Sequence, residues 1–136
     1  MSKSGRAGSW LRVELFVSHL EASVSFYRDV LGFELASRGL LGDYTVMRRG
    51  LAQIALQSQR HLGQAHPLKP REGERFGVCV ELVVEVDDLD AAFERARAHW
   101  PIETTLGLRP WGRRDFRLLD PDGFYVRVTS LELPEG

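Results

Sequence analysis

The amino-acid pattern predicts an α+β fold made of two tandem βαβββ modules. Three observations predict it: strand-length segments of alternating polarity, two segments with helical apolar spacing, and a return of the same element order 69 residues on. At that offset Phe16-Val17-Ser18-His19-Leu20-Glu21-Ala22 lies over Glu85-Val86-Asp87-Asp88-Leu89-Asp90-Ala91. Identities are few, but polarity and order agree. With 136 residues the chain suits one compact domain, or two small halves sharing a core.

The elements follow in order. Residues 11–17 alternate, with Val13, Leu15 and Val17 on one side and Arg12, Glu14 and Phe16 on the other, as in a half-buried strand. Ser18 with Glu21 three positions on has capping-box spacing. Leu20, Val24, Tyr27 and Leu31 then recur at helical spacing, and Gly32 suits the stop. Strands are predicted over 33–37, 43–48 and 52–58, with Gly39, Gly42 and Gly50 in the turns. The polar stretch 59–77, with Pro67, Pro70, His61 and His66, reads as a linker or flap. The pattern then restarts: a strand over 78–86, a cap at Asp87 or Asp88, and a helix striped by Leu89, Phe93 and Ala96 that stops before Pro101. Strands over 103–108, 115–119 and 124–129 complete it, the last two joined by Asp120-Pro121-Asp122-Gly123, whose Pro and Gly suit a type I turn. The modules thus span 11–58 and 78–131, with a disordered lead-in over 1–10 and a tail over 132–136.

Composition excludes several functions. A net charge of −1 argues against nucleic acid, whose phosphates demand a basic excess. The greasiest segment, 78–86, is interrupted by Glu81 and Glu85 and is too short to span a bilayer. Residues 1–9 lack the apolar stretch of a secretory signal, and the single Cys79 forms no internal disulfide or CxxC knuckle, so a reducing cytoplasm is expected. On its predicted strand Cys79 reads as a small buried hydrophobe. His61 and His66 read as solvated loop residues, His19 as part of a helix start, and His99 as a helix-end residue favoured by the dipole. There is no Ser-His-Asp set, P-loop or dinucleotide fingerprint.

The opening Val13-Glu14-Leu15-Phe16-Val17-Ser18-His19-Leu20-Glu21-Ala22-Ser23, running into Phe26-Tyr27-Arg28-Asp29-Val30-Leu31-Gly32-Phe33, resembles that of the vicinal oxygen chelate superfamily. Glyoxalase I, bleomycin-resistance proteins, fosfomycin-resistance enzymes and extradiol dioxygenases belong to it. Trp111-Gly112-Arg113-Arg114-Asp115-Phe116 and Asp120-Pro121-Asp122-Gly123-Phe124-Tyr125 resemble its ending, so the likeness covers about residues 11–131. The resemblance implies paired βαβββ modules whose curved mixed sheets enclose a shared cavity.

It also implies where a metal would sit. The first-strand ligand position falls on Arg12, its second-module counterpart on Glu81, a last-strand position on Gln57, and the position usually Glu in metal-binding relatives on Arg127. A shift of two residues along the same face would bring Glu14 or Val83 there instead. Guanidinium has no lone pair to donate and stays charged. Glu81 is therefore expected to pair with Arg12 or Arg127, or the arginines to hold an anionic ligand, with no metal and no cofactor. Phe16, Tyr125 and Trp111 add apolar walls, so the candidate ligand-binding set is Arg12, Glu14, Phe16, Gln57, Glu81, Trp111, Tyr125 and Arg127, with Arg113 and Arg114 as a cationic rim or plain surface charges.

Three functions are consistent with this pattern. The resemblance is greatest to the bleomycin-resistance branch, which implies a metal-free homodimer that sequesters an aromatic or partly charged small molecule. A metal-dependent lyase, isomerase or dioxygenase of the superfamily is the alternative. An accessory domain with a vestigial cavity is the third.

Overall fold

The computed structural model of the chain describes residues 8–9, 11–39 and 43–131. Apart from 8–9, the expected lead-in and the tail lie outside the described residues, as does Gly42. The elements are β1 (Val13–Val17), α1 (Leu20–Ser25) with a π-helical continuation (Phe26–Val30), β2 (Glu34–Arg38), β3 (Thr45–Arg49) and β4 (Ala52–Ser58). A single 3₁₀ turn (Gln59–His61) follows, then β5 (Glu81–Val86), α2 (Leu89–His99), β6 (Thr104–Leu108), β7 (Arg114–Leu119) and β8 (Tyr125–Ser130).

Each module makes one four-stranded mixed sheet, ordered β1-β4-β3-β2 and β5-β8-β7-β6. The first strand of each pairs parallel with the last, and the other pairings are antiparallel. A helical crossover is the usual way to join parallel strands, and here α1 or α2 begins each crossover. The repeat is exact at the module starts: β1 residues 13–17 and β5 residues 82–86 are 69 apart, as are the first residues of α1 and α2. Alternation decides the faces. Leu15 and Val17, like Leu82, Val84 and Val86, are buried toward the helices, while Glu14, Glu81, Val83 and Glu85 stay exposed on the opposite, open faces.

One apolar cluster draws on both modules and makes them a unit. The π-helical turn lets the consecutive Phe26 and Tyr27 both be buried. Phe26 packs edge-on against Trp100 of the second module, with ring centroids 5.0 Å apart. The Tyr27 hydroxyl donates to Asp120 Oδ2 at 2.8 Å. Asp122 accepts from the Ser18 backbone N–H at 3.0 Å and from its hydroxyl. The 120–123 turn closes by Gly123 N–H donating to the Asp120 carbonyl at 3.0 Å. It is therefore both a hairpin turn and the clamp between modules.

Two expectations are corrected, and a choice left open is settled. Ser18 does not cap α1. The N-cap position is His19, without a side-chain cap bond, because Ser18 is spent on Asp122. The strand predicted from 78 begins at Glu81, so Cys79 lies before it, exposed and with φ +67°, not buried on a strand. The preceding turn sets that start: Val80 N–H donates to the Gly77 carbonyl at 3.0 Å. Asp88, not Asp87, caps α2, accepting from Ala91 N–H at 3.0 Å.

The intermodule segment is anchored at Leu62, which is buried, and at Phe76, whose ring meets Phe124 edge-on at 5.9 Å. Gly77 has φ +68°, and a Cβ there would stand 2.4 Å from Phe124 Cδ1. Gly77→Ala is expected to cost about 2 kcal/mol, since both the backbone and the ring must move. Urea unfolding measures it. A loss below about 0.5 kcal/mol would mean that the segment is not held against Phe124.

Candidate functional site

The open faces of the two sheets carry all the polar convergence that the sequence suggested, but as two groups. On the first sheet Glu14 is the hub. Its Oε2 accepts from the Tyr44 hydroxyl at 2.9 Å and its Oε1 from Gln57 Nε2 at 3.2 Å, while Arg12 Nε stands 4.0 Å away. The Arg12 guanidinium also lies over the Tyr44 ring, 5.9 Å from its centroid. Burial first, and then Glu14 as hydrogen-bond acceptor and charge, push the Tyr44 hydroxyl pKa up. Phe16, half-buried, sits beside Gln57 in register on the same face.

On the second sheet Arg127 and Glu81 form an ion pair, with Nε 3.3 Å from Oε1. Tyr125, in register with Glu81, turns its hydroxyl to Glu103 Oε1 at 3.2 Å. Next to them is a cluster absent from the sequence-derived set. Asp115 is 1% exposed at its side chain and receives Arg109 Nε at 2.8 Å and Arg117 Nε and Nη2 at 3.3 Å each. Arg109 Nη2 is fixed by the carbonyls of Thr105 at 2.7 Å and Asp115 at 2.9 Å. Burial pushes the Asp115 carboxyl up, but the hydrogen bonds and charges of the two arginines outweigh it, so its pKa lies below the usual carboxylate range. Trp111, in the turn between β6 and β7 and 58% exposed, lies over Arg117, its ring centroid 5.8 Å from the guanidinium carbon. Arg113 and Arg114 are placed elsewhere. Arg114 Nη2 bonds Asp90 of α2 at 2.7 Å, and Arg113 donates to the Ser130 carbonyl.

Between the modules runs a separate groove of about 710 Å³. Leu11, Val13 and Leu51 line it from the first module, and Glu81, Val83 and Leu131 from the second. Of the eight candidate residues only Glu81 lines it. Within one chain, then, the candidates stand on two open faces and not around a single cavity.

A family model described as Glyoxalase/Bleomycin resistance protein/Dioxygenase superfamily matches residues 10–128. The chain belongs to this superfamily. Among solved structures of the fold, TioX from Micromonospora sp. ML1 is 25% identical with TM-score 0.70, over 90% of this chain and 98% of that one. Lactoylglutathione lyase from Agrobacterium tumefaciens is 25% identical with TM-score 0.67, over 91% and 94%. A protein of unknown function from Agrobacterium tumefaciens str. C58 shares the fold at 24% identity and TM-score 0.69, over 95% and 98%. No curated protein matches the chain.

Judged as metal ligands of the superfamily, the carried-over residues do not make a donor set. Arg12 and Arg127 have no lone pair to offer. The Gln57 amide nitrogen donates to Glu14, and Glu81 faces a guanidinium. The registers also show that Gln57 and Arg127 are not counterparts. Gln57 pairs with Phe16, whose counterpart 69 residues on, Glu85, pairs with Thr129. Arg127 pairs with Val83, whose counterpart 69 residues back, Glu14, pairs with Ala55. Among the described residues no three His, Cys, Asp or Glu side chains are grouped as a metal ion needs, and no helix is long and apolar enough to cross a membrane. His61 instead pairs with Asp43 at 3.0 Å, and His66 Nδ1 accepts from Leu68 N–H at 3.0 Å.

The cluster of Asp115, Arg109 and Arg117 was within reach of sequence reasoning. In β7 the buried Phe116 and Leu118 alternate with Asp115 and Arg117, which assigns both charges to the open face. That Arg109, six residues from Asp115, folds back onto it depends on the turn carrying Trp111.

Proposed function

We propose that this superfamily member binds a small molecule without a metal, as a homodimer in a reducing cytoplasm. The observation that carries the reading is Glu81. It is the one carboxylate at a carried-over metal position, and it is engaged as counter-ion to Arg127, an arginine at another. The dimer is supported by the sheet edges. Among the described residues β1 and β5 each end their sheet with one edge unpaired, and Leu11, Val83 and Leu131 remain exposed in the groove beside them. A second copy laid along these edges would bring open faces together into an enclosed site. The exposed free thiol of Cys79 fits the reducing compartment.

The expected result has two parts. Protein purified without chelator and dialysed contains no stoichiometric nickel, zinc, manganese or iron. A thermal-shift screen of small aromatics and antibiotics gives saturable stabilisation by at least one compound. Stoichiometric metal surviving dialysis would favour the alternative, a metal-dependent lyase, isomerase or dioxygenase, for which the likeness to lactoylglutathione lyase is the supporting observation. A screen that is blank throughout would leave an accessory domain.

A further inference from the structure

The open face of the second sheet sets two arginines opposite each other on adjacent strands. Across the strands, register places Val83, Arg127, Arg117 and Thr104 in one row. Two arginines thus stand directly opposite each other on adjacent strands, a like-charge pairing that disfavours the sheet. Their existing partners only partly offset it. Asp115 takes the Nε–Nη2 edge of Arg117 and is shared with Arg109, so one carboxylate serves two guanidinium groups. Arg127 has Glu81 within ion-pair distance, yet its buried Nε has no hydrogen-bond partner. Glu103 Oε1 accepts from the hydroxyls of Tyr125 and Thr104.

We propose that this row is a subsite for the carboxylate of a planar aromatic acid. It rests on the small-molecule-binding reading above and narrows it to a ligand class. Arg127 and Arg117 stand opposite each other on neighbouring strands, and a planar guanidinium is the group best matched to the two oxygens of a carboxylate. The exposed Trp111 indole, already over Arg117, offers a stacking surface for the ring, and Val83, 45% exposed, gives an apolar end to the row. The pairing of Asp115 with Arg109 and Arg117 makes the site preorganised, since Arg117 is fixed before the ligand arrives. A cationic aromatic would meet the arginines as repulsion, and a neutral one would bring no counter-charge to them.

The test uses three isosteric probes on the full chain by titration calorimetry: 2-naphthoate, 2-naphthamide and 2-naphthylmethylamine. Naphthoate is expected to bind at least about tenfold more tightly than either of the others, and to weaken as salt is raised. Arg127→Gln should weaken naphthoate about tenfold and the amide, which carries no charge, much less. Trp111→Leu, at an exposed position outside the core, should weaken naphthoate and amide together. Equal binding of the three probes, or naphthoate indifferent to both substitutions, overturns the subsite. So does a blank with all three probes in a protein that the thermal-shift screen shows to bind another aromatic; in that case the small-molecule reading stands. Blanks in both the titrations and the screen remove the two together.

Discussion

Asp120→Ala is expected to cost about 4 kcal/mol, whereas Asp120→Asn should cost no more than about 1 kcal/mol at neutral pH. Asp120 is 3% exposed and accepts three hydrogen bonds: the Tyr27 hydroxyl at 2.8 Å, and the backbone N–H groups of Asp122 and Phe124 at 2.9 Å each. Alanine would leave a fully buried phenol and two turn N–H groups without partners, and each such orphan costs roughly 1–3 kcal/mol. An asparagine can accept both N–H groups through its oxygen and donate its amide to the Tyr27 oxygen. Burial, above all, holds the Asp120 carboxyl above the ordinary carboxylate range, with its hydrogen bonds opposing. The folded chain therefore keeps this proton more tightly than the unfolded one. The associated stability is fully present below the unfolded pKa of about 3.9 and is lost as pH rises through the raised folded value. The neutral amide escapes that loss, so the asparagine variant compares best with the parent at neutral pH and worst in acid. Urea unfolding of both variants from pH 4 to 8 measures this. Losses below about 0.5 kcal/mol for both at every pH would show that the clamp carries no energy.

The opposite pH dependence is expected at Asp115. Asp115→Asn and Asp115→Ala should each cost about 3 kcal/mol at pH 7, because either leaves Arg109 and Arg117, about four-fifths buried, without their shared counter-charge. Here an amide is no substitute, since it cannot accept from two guanidinium groups at both of its polar atoms. The Asp115 carboxyl is held below the ordinary range. Its stabilisation is therefore present above about pH 3.9 and fades as pH falls through the lowered folded value. The gap between parent and variant should close in acid. A gap that widened there, or an asparagine variant as stable as the parent at pH 7, would contradict the ion-pair account. Tolerance of asparagine at one buried aspartate and not at the other follows from the partners, two neutral N–H groups and a phenol against two cations.

The elements of the fold were legible because each rests on local periodicity. β4 spans Ala52–Ser58, as its alternation predicts, and α2 starts at Leu89 after an aspartate cap. Errors arose where a residue had a distant partner. Ser18 looks like a cap, but Asp122, 104 positions away, takes it. Cys79 continues an apolar run, yet a turn at Gly77 keeps it out of β5. The site was legible by half. Alternation placed Arg12, Glu14, Tyr125 and Arg127 on open faces, and charge chemistry foresaw that Glu81 would meet an arginine. It did not foresee which one, nor the cluster around Asp115, because strand register and the Trp111 turn decide those neighbours.

By itself the sequence determined the two βαβββ modules, the buried and open sides of the first strand, and the superfamily. These depend on spacing of two or of three to four residues and on turn chemistry such as Asp120-Pro121-Asp122-Gly123, all short-range properties. Only the tertiary structure decided that the modules clamp through Tyr27 and Asp120, that the candidate residues divide between two open faces, and that Arg117 and Arg127 stand side by side. Those are relations between residues brought together across strands and between modules. Chain order leaves them open because a one-residue change in register exchanges every neighbour.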